Sequence, residues 1–359
     1  MKYIRRNTLV AAAALSACGL AAAQSSVQMF GVVDAAIQRG TGSVASKTQL
    51  GSSGLTTSRF GVRGREDLGD GLWAGYWLEA GVNVDSGTGV ATNTNNQASG
   101  ASTGQGLAFN RRSTVSLGGN WGEVRLGRDF TPQYNNLAYE PTGNVGVGTS
   151  VNYTNIITGP TNTRASNAVS YFTPRLNGFS GQAQYYLGEN QSNSANKDDG
   201  NGWGVRAVYN GGPFELGVAT SRTKYLGGNS QQSNIGGYYD FGMAKVLANY
   251  SHDEGLVAPG TSSVKANGWS LGTTVPLGAE ELRAGYSTYK IDQQTAMLND
   301  PRAKKFMLGW VHNFSKRTAA YTTVARLNNS GGSSSSLLGA VASANGHSNG
   351  YEAGLRHSF

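Results

Sequence analysis

From residue 27 onward the chain alternates apolar and polar side chains with a period of two. Residues 27–38 set Val27, Met29, Val33, Ala35 and Ile37 on one face and Gln28, Asp34 and Gln38 on the other. Residues 57–65 oppose Phe60 and Val62 to Arg59, Arg63 and Arg65. Residues 72–82 oppose Leu72, Ala74, Tyr76, Leu78, Ala80 and Val82 to Trp73, Trp77 and Glu79. Period two is the signature of a strand with one apolar face. Runs of roughly nine to eleven residues match a tilted strand that crosses a bilayer.

The same pattern recurs in pairs: 108–117 with 123–127, 168–173 with 179–188, and 203–209 with 214–222. It continues in 234–241 with 244–251, 269–275 with 282–289, and 306–312 with 319–327. Residues 351–359 complete a set of sixteen expected strands. Connections within a pair are short and rich in Gly, Pro and Asn, whereas 83–106, 129–167, 190–201 and 328–349 are long and polar. Strict alternation of short turns and long loops predicts an all-β, 16-stranded antiparallel transmembrane β-barrel. A soluble propeller would not show that two-sidedness. The last run alternates Tyr351, Ala353, Leu355 and Phe359 against Glu352, Gly354, Arg356 and Ser358, and ends on an aromatic. Such a strand suits a closed barrel, where the last strand pairs with the first and leaves no open edge. Aromatics near strand ends, including Tyr171, Phe179, Trp203, Tyr209, Phe214, Tyr239, Trp269, Trp310 and Tyr321, suit interfacial girdles.

Composition agrees. Mean hydropathy is −0.35, which a membrane barrel tolerates because half of each strand faces water. Beyond residue 23 no segment approaches a spanning apolar helix. At the N-terminus Lys2, Arg5 and Arg6 precede an apolar run over 9–17 and the small residues Ala21, Ala22 and Ala23. This reads as an export signal over 1–23, leaving one barrel domain over 24–359. Leu15-Ser16-Ala17-Cys18 also fits a lipoprotein signal, but the Ala-rich site follows it. Cys18 is the single cysteine, so the remaining chain has no thiol for disulfides or thiolate chemistry. That remainder holds 26 basic and 21 acidic side chains. The arginines are spread along the strands instead of clustered, which argues against nucleic acid.

A sixteen-stranded barrel is too wide for side chains to fill, so its lumen holds water unless a loop narrows it. The longest connection, 129–167, with Asp129, Phe130, Tyr134, Tyr139 and Glu140, is the candidate. Alternation directs Arg59, Arg63, Arg112, Arg206, Arg283 and Arg326 to the lumen, with Asp34, Glu79, Glu123 and Glu215. Centring the 67–71 turn on Gly69 sets Arg59 opposite Glu79, and the turn at Asn120 and Trp121 sets Arg112 across from Asp129. Opposite charges across a strand pair attract.

Several blocks carry a family resemblance: Ser58-Arg59-Phe60-Gly61-Val62-Arg63-Gly64-Arg65-Glu66-Asp67-Leu68-Gly69, then Phe109-Asn110-Arg111, then Leu126-Gly127-Arg128-Asp129-Phe130-Thr131-Pro132. Asn167-Ala168-Val169-Ser170-Tyr171 and the closing Gly354-Leu355-Arg356-His357-Ser358-Phe359 fit the same series. Together they resemble the Gram-negative general diffusion porins of the β-proteobacterial type. The resemblance implies a homotrimer of barrels with the third external loop folded into each pore. It implies a basic constriction wall of Arg59, Arg128 and Arg164, with Arg63 beside Arg59. The facing acid would be Glu140, with Asp129 and with Glu79 as a partner of Arg59, while Phe359 is the C-terminal barrel signature. No acid lies between Pro141 and Asn162 to support Glu140. Strict alternation would turn Arg128 outward with Val124 and Leu126.

The expected function is passive diffusion of small hydrophilic solutes and ions through an outer-membrane channel with a moderate anion preference. Expected partners are outer-membrane lipid, lipopolysaccharide and the barrel assembly machinery, with no cofactor, metal or nucleic acid. An outer-membrane hydrolase would need a Ser-His-acid or metal constellation. His252, His312, His347 and His357 fall at loops, turns or the C-terminal strand and neighbour no plausible Ser-acid set, and no His-Glu-x-x-His occurs. A non-conducting adhesin or assembly barrel is the other alternative, its long loops being the working part.

Overall fold

Strand pairing follows the alternation around a complete circle. The protein was analysed as a computed structural model that describes residues 26–104, 106–140, 145–151, 159–256, 263–292 and 299–359. The expected export signal over 1–23 lies outside these residues. The β segments are β1 (Ser26–Gly42), β2 (Lys47–Ser52), β3 (Arg59–Gly69), β4 (Leu72–Asn83), β5 (Thr88–Gly89) and β6 (Arg112–Gly119). Then come β7 (Gly122–Phe130), β8 (Arg164–Phe172), β9 (Phe179–Tyr186), β10 (Gly202–Asn210), β11 (Phe214–Tyr225) and β12 (Gly228–Asp240). The last six are β13 (Lys245–Leu256), β14 (Ser263–Leu277), β15 (Glu280–Asp292), β16 (Arg302–Asn313), β17 (Thr318–Ser330) and β18 (His347–Ser358).

Among the described residues these segments form sixteen barrel strands. β5 belongs to a loop, and β2 and β3 share one edge of β1: Ala35 to Gly40 pair with β2, and Ser26 to Val32 pair with β3. Every strand pairing is antiparallel, and β1 pairs with β18 from Val32↔Ser358 to Gly42↔Ser348. Closure lets every strand satisfy its backbone without water, the condition for standing in lipid.

The pleat sorts chemistry by side. Val27, Met29, Ile37, Val115, Leu126, Val169, Val205, Leu271 and Leu308 are exposed on the outer face. Outward rings cluster near the short turns: Phe179 with Tyr209 at 4.6 Å, and Tyr239 with Phe241 at 4.5 Å. Nearer the long loops, Trp269 lies 5.3 Å from Tyr286. Tyr321 departs from the expected girdle. It is 2% exposed, points inward and donates to the carboxylate of Asp34 at 2.5 Å. Arg326 departs the opposite way: it faces Phe306 on β16 and Asn349 on β18, between inward Ala325 and Leu327.

Turn chemistry follows the expected one-sidedness, with Gly242 at φ 81° in the tight β12–β13 turn. One loop is shorter than expected. β11 and β12 continue pairing to Tyr225↔Gly228, because residues 223–233 keep alternating and pair their backbones instead of forming a loop. The β3–β4 hairpin turns at Asp70 and Gly71 with an irregularity between Asp67 and Gly69, so Arg59 pairs with Gly81 and Glu79 with Gly61. That shift from the sequence register is two residues, which keeps every side chain on its face.

Closure leaves no room at one point. A Cβ on Gly31 would lie 2.3 Å from the Phe359 ring and 2.9 Å from the Arg59 carbonyl oxygen. Gly31 and Phe359 also exchange two backbone hydrogen bonds of 3.1 Å. Gly31→Val is therefore expected to lower the yield of folded, heat-modifiable barrel several-fold on unheated gels, and an unchanged band pattern would show that the seam tolerates the branch.

Candidate functional site

The lumen has two unlike halves, and the connection between β7 and β8 makes the difference. Pro132 starts α1 (Pro132–Leu137), a position where its missing N–H costs nothing. α1 lies inside the barrel against β9 to β12. Gln133 donates to Gln232, Asn135 to Gln182, and Asn136 to Gly217 and Asn234. Arg206 donates to Asn136 and to the Tyr139 hydroxyl, which in turn donates to Glu215 at 2.8 Å. Farther along, Val147 and Val151 pack into an apolar cluster with Tyr289, Ala303, Met307, Ala325 and Leu327 on the inner faces of β15 to β17. The loop therefore covers the wall from β9 to β18, and the open half of the lumen is bounded by β1 to β8.

Glu140 sits behind this loop. It is 7% exposed and accepts from Ser150 at 2.6 Å and from Ser270 at 3.1 Å. Lys305 on β16 is 3% exposed and donates to the Thr149 carbonyl, while Glu352 accepts from the Val147 N–H. The sequence expectation of an acid facing the basic wall is revised accordingly. Glu140 turns to the barrel wall, because the wall offers it the Ser270 hydroxyl and the Lys305 cation, while Ser150 of its own loop supplies a second hydroxyl. Burial pushes its carboxyl up to about 7, against the opposing pull of Ser150, Ser270 and Lys305.

The open half carries the guanidinium groups. On β3, Arg59 and Arg63 face inward with Gln28 and Phe30 of β1. Arg59 Nε lies 3.8 Å from Glu79 Oε1, and Arg111 Nε lies 2.5 Å from the same atom. Trp77 Nε1 donates to the other Glu79 oxygen at 3.1 Å. The Trp77 ring carries Arg63 at 4.7 Å and Arg112 at 4.4 Å from its centroid. Asp129 is 3% exposed and bridges Arg112 at 3.6 Å and Arg125 at 2.5 Å, the cross-strand partnership with Arg112 read from the sequence. Arg125 also pairs with Glu123 at 2.9 Å and stacks over Phe172 at 4.2 Å. Contacts of this kind order long side chains, each cation–π contact contributing about 0.5–1 kcal/mol at partly exposed sites. Five guanidinium groups thus share three carboxylates on one wall: Arg59, Arg63, Arg111, Arg112 and Arg125 against Glu79, Glu123 and Asp129.

Two residues of the basic cluster sit elsewhere. Arg128 pairs with Ser113, in the parity of outward Val115 and Leu126. Its guanidinium donates to the carbonyl oxygens of Asn110 and Asn93 and to Ser166 Oγ, so it fastens the loop between β4 and β6. Arg164 stacks 4.3 Å over Phe130, which stacks on Tyr134 at 4.7 Å, where the inward loop leaves and rejoins the wall. Arg111, Arg125, Trp77 and Lys305 were not singled out for the constriction from sequence. Arg125 and Trp77 carry a visible signal, since Glu123, Arg125 and Asp129 share one face of an alternating run and Trp77 shares a face with Glu79.

A further device holds Arg59. Residues 53–58 leave the strand between β2 and β3 and turn toward Asp34, which is fully buried. Its carboxylate accepts from the N–H groups of Gly54, Leu55 and Thr56 and from Tyr321. Ser58 Oγ donates to the Asp34 carbonyl and accepts from its N–H. Arg59 follows directly and donates back to Thr57 O at 3.1 Å.

The raised Glu140 titration has a directional consequence. Between its ordinary value of 4.5 and about 7 the attached loop holds more protons at Glu140 than a detached one, so the Glu140 contribution to attachment weakens as pH rises through that window and is constant above it. Deuterium uptake over 145–151, corrected for intrinsic exchange, is expected to increase across that window more steeply in the wild type than in Glu140→Gln. A rising protection with pH would contradict it.

Comparison with known proteins agrees with this geometry. Residues 8–332 match the family described as Gram-negative porin. The chain is 35% identical to outer membrane porin protein 32 of Delftia acidovorans, over 99% of this chain and 100% of that one. It is 27% identical to a chitoporin of Vibrio furnissii, over 81% and 78% of the two chains. Among solved structures, an anion-selective porin from Comamonas acidovorans superposes with a TM-score of 0.80 at 33% identity, covering 93% of this chain and 100% of that chain. OmpT of Vibrio cholerae shares the fold with a TM-score of 0.68 at 16% identity. With the family matching most of the chain and the barrel closed, the chain belongs to the Gram-negative porins, channels of the outer membrane and not enzymes.

Proposed function

We propose that the channel passes small hydrophilic solutes by diffusion and favours anions, and that the filter is the wall of Arg59, Arg63, Arg111, Arg112 and Arg125 facing the inward loop. The observation carrying this reading is the asymmetry of the lumen: five guanidinium groups outnumber the three carboxylates they share along the open half, while Glu140 and Lys305 are withdrawn behind the loop. Fixed charge in a narrow passage with low-dielectric walls raises the local concentration of counter-ions. Glu79 and Asp129 act as holders that aim the guanidinium groups, and Arg164 sets the root of the loop. The name of the Comamonas acidovorans structure, an anion-selective porin, points the same way. Residues 1–23 would be the export signal, with delivery by the barrel assembly machinery, assembly as a homotrimer, and lipopolysaccharide as the surrounding outer-leaflet lipid.

Planar-bilayer reversal potentials under a KCl gradient test the sign. The wild type is expected to be anion-selective, and Arg59→Glu to reduce or reverse the preference with the barrel intact. Cation selectivity in the wild type would end this reading.

Asp34 separates field from position. If it mattered only as a negative charge, Asp34→Asn would raise anion preference. As the holder of residues 54–58 it is expected to lower that preference when replaced, and Tyr321→Phe, which changes no charge, to shift it in the same direction by a smaller amount. A rise in Asp34→Asn would assign the residue a purely electrostatic part.

A further inference from the structure

Asp253 on β13 is a buried acid whose charge nothing in the surrounding wall answers. It shares the inner face of β13 with buried Leu247, Asn249 and Ser251, while Tyr250 is exposed on the other side. Asp253 is 2% exposed, and its Oδ2 has no hydrogen-bond partner among the described residues. Gln232 of β12 pairs with it across the sheet, and Ala266 of β14 pairs on its other side. On α1, Gln133 Nε2 donates to Gln232 Oε1 at 2.9 Å and to the Thr161 carbonyl at 3.3 Å. Both partners are acceptors, which fixes that end of the amide as the nitrogen and turns Gln133 Oε1 away from them. Gln133 is 1% exposed, and among the described residues its Oε1 has no partner either. Two buried oxygens without a donor thus flank one side chain, Gln232. The neighbouring strands bring no cation to them. β12 holds no Lys or Arg, and Lys265 of β14 shares the outer face with exposed Trp269 and Leu271. Lys245 lies against Tyr238 at the other end of β13, eight residues or roughly 26 Å from Asp253.

We propose that Asp253 and Gln133 bind a monovalent alkali-metal cation between β13 and α1, with Gln232 holding the two ligands side by side. Buried polar atoms are almost always satisfied, and a bare carboxylate away from water is among the costliest exceptions. A cross-strand pair brings its Cβ atoms within about 4.5–5.5 Å, so the hydrogen bond from Gln133 to Gln232 carries the α1 amide to the neighbourhood of the acid. Carboxylate and amide oxygens are hard donors, which select a hard cation over a soft one. The charge count selects its valence. Asp253 supplies one negative charge, and the other acids of β12 and β13 do not join it: Glu254 is on the opposite face by alternation, and Asp240 lies at the short-turn end beside Lys245. A divalent ion would leave a positive charge buried in turn, whereas a monovalent ion leaves none. Bound there, the ion joins the root of the inward loop to a strand that the filter does not use.

The test uses the full barrel in detergent, with sodium chloride exchanged for N-methyl-D-glucamine chloride at constant ionic strength and pH. Deuterium uptake over 132–137 is expected to slow saturably with sodium in the wild type, about tenfold at ten times the half-saturating concentration. Asp253→Asn is expected to lose that response and, without sodium, to exchange more slowly than the wild type, since its neutral amide needs no counter-ion. Gln133→Met keeps the carboxylate and is expected to raise the half-saturating concentration several-fold, which serves also where Asp253→Asn yields no folded barrel. Crystals grown with thallous ion in place of sodium are expected to show an anomalous peak between Asp253 and Gln133. Equal uptake in the two salts overturns the proposal in favour of a protonated acid or a bridging water. A response retained in Asp253→Asn, a response to calcium chloride but not to sodium, or an anomalous map without that peak also overturns it.

Discussion

A backbone amide in hydrocarbon has no water to turn to, and the whole molecule is arranged around that fact. The seam between β1 and β18 is where the demand is sharpest, since it joins the two ends of the strand series. Gly31 and Phe359 meet there so closely that only hydrogen fits on the glycine. The interruption of the wall between β2 and β3 obeys the same demand. The N–H groups that leave the ladder at Gly54, Leu55 and Thr56 are all received by one buried carboxylate, that of Asp34.

With the outer face committed to lipid, cohesion inside comes from polar contacts more than from an apolar core. Gln133, Asn136, Arg206 and Tyr139 tie the inward loop to β10, β11 and β12, and a modest apolar cluster around Val147 and Val151 fastens its far part. Neutral hydrogen bonds contribute about 0.5–1.5 kcal/mol each, so it takes their number to hold a loop against a solvated lumen. What the loop covers and what it leaves bare then decides which charges a solute meets. Lys305 and Glu140 are covered; the arginines of β3, β6 and β7 stay partly exposed.

Strand alternation is a local property, so it was readable: it placed Arg59, Arg63, Arg112 and Glu79 on the inner face and predicted the partnership of Arg112 with Asp129. It also warned that Arg128 belongs outside, where the resemblance alone would have put it in the filter. On β17 the inner face is itself apolar, with Ala319, Tyr321, Ala325 and Leu327 buried against loop residues, so alternation by itself points both Arg326 and Tyr321 the wrong way. Loop contacts could not be read at all. Whether Glu140 faces the opening or the wall depends on Ser270 and Lys305, more than a hundred residues away in the chain. No periodicity reports a contact of that range.

Arg128 grips the loop between β4 and β6 by main-chain oxygens, those of Asn93 and Asn110, and by a hydroxyl on the barrel itself. Side chains over much of the intervening segment are spectators to that grip. The outer surface of that loop can therefore drift by substitution while its mooring stays the same, for every residue type presents the same carbonyl to the same arginine.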